Sequence, residues 1–257
     1  MRLNPLLSEL IPPEGLILVT GDIGSGKSCL AYAILEDMYH KYKKPAYTFN
    51  FPKPDLLPKW ITNITDPELP EDSIVVLDEA YISYHSRVSM KEESRFIDKF
   101  TGLVRQKGIL AIFVTQMTRK LDRGIVGSSQ GFFIKRLTRM NVRLDRSELK
   151  PIFESAYRAF DKIVKEGKVD PRKCTYVLAG DFEGMIKYSN MTPSFWTENF
   201  SRAWKGIKLS ESKISIKSNK LNIFSAQSEL MKNSGQRLPR WLERMMGLPD
   251  SWAPKYD

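Results

Sequence analysis

Residues Gly21-Asp22-Ile23-Gly24-Ser25-Gly26-Lys27-Ser28 match the pattern G-x-x-x-x-G-K-[ST] at every position. Glycines at these spacings let a backbone curl until successive N–H groups converge on one anion. A helix starting near Lys27 adds the positive end of its dipole. In such a loop Lys27 reaches the β- and γ-phosphates of ATP, and the Ser28 hydroxyl ligates Mg²⁺. A glycine turn without a ligand would satisfy the same letters, but an apolar run before and a helical pattern after argue for a phosphate cradle. About fifty residues on, Ile74-Val75-Val76-Leu77 ends in Asp78-Glu79. Alternation along a strand sends neighbouring side chains in different directions, so two adjacent acids have separate tasks. Asp78 is expected to hold the Mg²⁺ shell beside Ser28, and Glu79 to polarise an attacking water. A solvated strand-end acid pair is the plainer alternative. Gln116 closes the next apolar run, where its amide either senses the γ-phosphate and orients water or caps a turn. The chemistry implied is ATP hydrolysis with Mg²⁺.

Short apolar runs must position these groups. Gly15 to Thr20 leads into the glycine loop and reads as a buried strand. From Ser28 to Tyr42, Leu30, Ile34, Leu35 and Met38 recur at helical spacing, and Pro45 stops the helix. Strands are expected at 46–51, 73–77, 109–115 and 131–137. Residues 52–72 read as a connecting excursion with a short helix near Trp60. Residues 90–107 read as an amphipathic helix carrying Phe96, Phe100 and Val104. This alternation predicts an α/β domain around a largely parallel sheet. Beyond about residue 148 the pattern changes to a helix over 151–165 and a hairpin around Gly180-Asp181. The chain is expected to divide into a domain over 1–204 and a basic, serine-rich extension over 205–257, ordering on assembly or DNA binding.

The formal net charge of +10 points to a polyanionic partner, nucleic acid or an acidic membrane surface. Lys135, Arg136, Arg139, Arg143 and Arg146 form one basic run; Lys205, Lys208, Lys213, Lys217 and Lys220 a second; Arg237, Arg240 and Arg244 a third. Such side chains neutralise backbone phosphates without reading sequence, although a solvated helix face would look the same. Trp196, Trp204 and Trp241 read as packing residues rather than base-stacking platforms. Cys29 and Cys174 lack paired spacing, which excludes a disulfide framework and a cysteine zinc site and fits a reducing compartment. No secretory leader or run of about 18 apolar residues appears, so the expected location is cytoplasmic, a host cell's cytoplasm or a virion if the chain is viral.

The stretch Arg105-Gln-Lys-Gly108-Ile-Leu-Ala-Ile-Phe-Val-Thr115-Gln116, with Lys120-Leu-Asp122 and Ser129-Gln130 after it, resembles the FtsK/HerA superfamily of DNA-pumping ATPases. The resemblance covers roughly residues 15–140 and rests on three motifs in order, of which only the third separates this group from other P-loop ATPases. Here Met117-Thr118-Arg119 stands where the family usually has Arg-Pro. The resemblance implies a P-loop NTPase (RecA/FtsK-like) three-layer sandwich with a central mostly parallel sheet. It also implies a homo-oligomeric ring, a hexamer, in which an arginine of one subunit completes the neighbour's ATP site. Arg105 matches that position best, a permanent charge with a planar fork for phosphate, against the alternative of a solvated helix-end cation; Arg95 and Arg119 are further candidates. The function implied is ATP-driven translocation of double-stranded DNA, in the size range of viral genome-packaging ATPases, with capsid or membrane-vertex proteins as further partners. A HerA-like or conjugation-type translocase, and a virion-morphogenesis ATPase that does not move DNA, are the alternatives.

Overall fold

A computed structural model describes residues 1–65, 69–78, 102–121, 123–203 and 205. Met1–Trp204 form one compact unit. Its spine is an eight-stranded sheet made of β1 (Gly15–Thr20), β2 (Ala46–Phe49), β3 (Ile61–Ile64), β4 (Ile74–Asp78), β5 (Leu110–Thr115), β6 (Gly131–Ile134), β7 (Thr175–Ala179) and β8 (Phe182–Ile186). The order across the sheet is β3-β2-β4-β5-β1-β6-β7-β8. Strands β1 to β6 run parallel to one another, and β7 and β8 add to them through antiparallel pairings.

Every residue of β1 and of β5 is buried, as expected of central parallel strands covered on both faces. Pleating sends Leu16 and Leu18 to one face and Ile17 and Val19 to the other. On the first face lie Ile152, Phe153, Ala156, Phe160 and Ile163 of a helix over Lys150–Glu166. On the second lie Leu30, Ile34, Leu35 and Met38 of the helix α2 (Lys27–Tyr42), which follows a short α1 (Pro5–Glu9). The result is a helix–sheet–helix sandwich, the P-loop NTPase architecture.

The helix α2 is buried along most of its length, including two acids. Their partners lie far away in sequence: Glu36 accepts from Ser194 N at 2.9 Å and pairs with Arg2 at 3.4 Å, while Asp37 accepts from Arg2 N at 3.0 Å and Ser8 Oγ at 3.1 Å. Buried carboxylates need such partners. Trp196 packs against Tyr32 and Phe200 with Phe51 and Phe195 nearby, the packing role expected of it.

Two expectations change. Residues 52–72 hold a short 3₁₀ turn at Pro54–Leu56, and then β3 pairs in parallel with β2 as the edge of the sheet. Four residues, Ile61-Thr62-Asn63-Ile64, with only Ile61 buried, carry too weak an alternation to read as a strand. Asn63 anchors the edge, accepting from Phe51 N at 2.8 Å and donating to Phe51 O at 3.0 Å. The hairpin forms around Gly180-Asp181, but its second strand, expected at 185–188, starts at Phe182, directly after the turn. The helix expected over 90–107 lies outside the described residues except for its last turns, where 102–106 are helical.

Candidate functional site

β1 and β4 are not neighbours, because β5 runs between them. The registers Thr20↔Thr115 and Asp78↔Val114 bring the three strands to their carboxyl ends nearly level. The loop after β1, the acid ending β4 and Gln116 after β5 therefore share one edge, with Gln116 between the other two. Across this edge Ser28 Oγ donates to Asp78 Oδ2 at 3.0 Å, joining residues fifty positions apart.

The loop's own geometry follows from its glycines. Gly26 caps α2 with φ +92°, a left-handed conformation that a side chain would strain. A Cβ on Gly21, φ +150°, would lie 2.8 Å from Lys135 Cβ and 2.9 Å from Ser25 Oγ. Asp22 N donates to Arg136 O at 2.9 Å, Ser25 N to Asp22 O at 3.2 Å, and Ile23 N to Asp22 Oδ1 at 2.8 Å, so Asp22 braces the turn while Ile23 is exposed. Lys27 is buried and curls back over the loop, donating from Nζ to Asp22 O at 2.9 Å.

Among the described residues, Ser25 Oγ and Thr20 Oγ1, on the loop and at the end of β1, are buried and find no hydrogen-bond partner. Such an orphan costs about 1–3 kcal/mol and is retained at sites built for something else. An anion-accepting loop, an inward hydroxyl at Ser25 and a hard-oxygen pair at Ser28 and Asp78 fit a nucleoside triphosphate with Mg²⁺. Residues 21–28 could hold the phosphates, and Ser28 with Asp78 the ion.

Other predicted site residues fare differently. Glu79, Arg95 and Asp122 lie outside the described residues. Gln116 is half-buried at the edge, and the turn after it is tied by Thr115 Oγ1, which donates to Met117 O at 3.0 Å. The departure at Met117-Thr118-Arg119 has a structural counterpart. Thr118 is fully buried, donating from N and Oγ1 to Asp145 at 2.9 and 2.6 Å, and Arg119 N joins it at 2.8 Å. Arg119 turns its guanidinium away to Leu144 O at 3.0 Å. Arg105 is exposed, five residues before β5 begins, at the amino edge of the sheet. A six-residue strand spans about 20 Å, so Arg105 cannot reach the phosphate loop of its own chain.

The first basic run needs correction. Lys135 is wholly buried, and Arg146 is spent on the carbonyls of Thr118 and Leu121, leaving Arg136, Arg139 and Arg143 exposed. Lys135 follows β6 just as Gly21 follows β1, so its ammonium enters the sheet edge instead of solvent. In the second run Lys205 is exposed; its remaining members and the third run lie outside the described residues. Cys29 is half-buried, with its thiol pushed up chiefly by burial and receiving Asn190 Nδ2 at 3.7 Å.

No family profile matches the sequence, and neither does any curated protein. Among solved structures the chain is similar to the genome packaging NTPase B204 of Sulfolobus turreted icosahedral virus 2, in complex with ATP-gammaS. The two are 14% identical over 70% of this chain and 99% of that one, with a TM-score of 0.46. It is also similar to the pCW3 conjugation coupling protein TcpA, 15% identical over 75% and 64% of the two chains, TM-score 0.46. A third is the KaiC-like protein PH0186 of Pyrococcus horikoshii, 17% identical over 52% and 80%, TM-score 0.39. Among the described residues no helix is long and apolar enough to cross a membrane.

Proposed function

We propose that this protein hydrolyses ATP and couples hydrolysis to movement of double-stranded DNA, as a viral genome-packaging motor does. The observation that carries the hydrolytic part is the Ser28–Asp78 contact at 3.0 Å beneath a glycine loop with an orphaned inward hydroxyl. In this reading the N–H groups of 21–28 and Lys27 hold the β- and γ-phosphates and orient the terminal one. Ser28 and Asp78 would hold Mg²⁺, which would supply neutralisation of the phosphates' negative charge. Glu79 accepts the proton of the attacking water. Gln116, between loop and acid, orients that water. Arg105, at the opposite edge, serves the site of a neighbouring subunit in a ring, where a planar cation stabilises the charge of transfer.

The DNA part is supported by the net charge of +10 and by the exposed Arg136, Arg139 and Arg143 one strand away from the loop. The extension over 205–257, with its basic residues, is assigned to DNA, a capsid protein or a neighbouring subunit. Steady-state ATP hydrolysis with and without double-stranded DNA tests the whole reading, with Glu79→Gln as the inactive control. Several-fold stimulation that disappears at raised salt is the expected result. Hydrolysis indifferent to DNA would leave an ATPase of virion assembly, and salt-sensitive stimulation without packaging would leave a repair or conjugation translocase.

A further inference from the structure

Lys135 is a buried cation that the hydrolytic chemistry does not use. It lies at the end of β6, and its side chain forms the floor of the phosphate loop. Its Cβ blocks any side chain at Gly21, and its Cε lies 3.6 Å from where a Cβ on Gly26 would stand. The ammonium donates to Arg172 O at 2.8 Å, Thr175 Oγ1 at 3.3 Å and Asn190 Oδ1 at 3.5 Å. Thr175 Oγ1 gives its own hydrogen to Ser189 Oγ at 2.8 Å, and Ser189 Oγ to Asn190 Oδ1 at 2.9 Å, so the cage presents acceptors to Lys135. Three acceptors suit a three-donor ammonium, not a neutral amine.

None of these acceptors carries a formal charge. Among the described residues no carboxylate lies within ion-pair distance of Lys135, and Asp170 nearby is occupied by Arg172 at 3.0 Å. A buried ammonium is ordinarily paired. Its stem lies against Gly21 and Gly26, where an anion held by the loop N–H groups would supply the counter-charge. We propose that Lys135 is a positioning residue for the phosphate loop, whose ammonium sits under Gly21 and Gly26 and is held charged by the nucleotide's phosphates on the other side. This rests on the nucleotide reading above.

Burial lowers Lys135 from the ordinary lysine range to about 8, against smaller opposing effects of Cys29, Cys174 and Asp170. The groups facing it are Cys29 on α2, Asp170 and the paired Arg172 on the turn before β7, and Cys174 beside them. Near pH 8 an unliganded molecule therefore carries a mixture of ammonium and amine. Phosphate binding favours the ammonium, and the amine nitrogen takes one proton from solvent.

The test is calorimetry of ATPγS binding with Mg²⁺ at pH 7, 8 and 9, in pairs of buffers differing in ionisation enthalpy. The γ-phosphate is ionised in the upper part of this range. Wild-type protein should take up about half a proton at pH 8 and more at pH 9, with affinity falling by about fivefold from pH 8 to pH 9. Lys135→Met should abolish the uptake and weaken binding at pH 7. Lys135→Arg, permanently charged, should also abolish it while keeping binding at pH 7 near wild type, and Cys29→Ala should keep the uptake. Tight binding without proton uptake in wild type, or uptake surviving Lys135→Met, would overturn the proposal. Absence of any nucleotide binding would instead overturn the nucleotide reading on which it stands.

Discussion

The parallel strands β1 to β6 and the antiparallel hairpin β7–β8 share one sheet yet serve the edge that carries the glycine loop in different ways. On the parallel side the central strands deliver residues directly to the edge: the loop after β1, Asp78 from β4 and Gln116 after β5. The hairpin delivers nothing to that set. Thr175 at its start, with Ser189 and Asn190 just beyond β8, supports the loop from beneath around Lys135, and Asn190 reaches Cys29 on α2. The N-terminus is fastened to the same place, with Asn4 N donating to Ser189 O at 2.8 Å and Met191 N to Arg2 O at 2.7 Å. A site read only from strand ends would thus miss the layer that holds its floor.

Mutations can break this comparison. The largest effect expected is on the parallel side: Glu79→Gln should lower hydrolysis by about 10²–10⁴-fold, with ATPγS affinity retained. An equal loss of binding and turnover would remove Glu79 from the chemistry. Next, Phe160→Ala on the supporting helix, 1% exposed in the core, should cost about 3–5 kcal/mol in denaturant unfolding and leave KM for ATP unchanged where the protein is still folded.

Asn190→Ala, just beyond β8, tests whether the hairpin and the turn that follows it are scaffold or floor. Removing one acceptor from the Lys135 cage should cost about 1–3 kcal/mol in stability, and ATP affinity should fall with it. Lost stability with unaltered affinity would reduce the hairpin to scaffold. The pH dependence of stability sharpens the same point. The Lys135 ammonium is at about 8 when folded and near 10.5 when unfolded, so between these values the unfolded chain binds more protons. Stability of the nucleotide-free protein should therefore rise with pH across that window, relative to Lys135→Met measured in parallel. The smallest effect is at the surface: Arg139→Ala should weaken DNA binding uniformly across sequences and reduce the salt slope by about one.

Much of this was legible along the chain. Gly15–Thr20 and Leu110–Thr115 announce themselves because a strand buried on both faces is apolar throughout, and the loop 21–28 is local, its conformation dictated by glycines close in sequence. β3 was not legible: Thr62 and Asn63 carry no apolar period, and the strand exists because β2 offers it a ladder. The departure at Thr118 reads as a lost motif until Asp145, 27 residues away, is found against its hydroxyl.

Residue type and spacing by themselves determined the phosphate loop, the buried strands and the order in which loop, acid pair and glutamine occur, since each depends on neighbours within a few positions. Only the tertiary structure decided that β5 lies between β1 and β4, that Ser28 meets Asp78, that Arg105 stands at the far edge, and that Lys135 turns inward instead of joining a basic surface. The reason is physical: a charge in sequence has no environment until strands distant along the chain pack around it, and burial with its acceptors decides whether a lysine faces water or the interior.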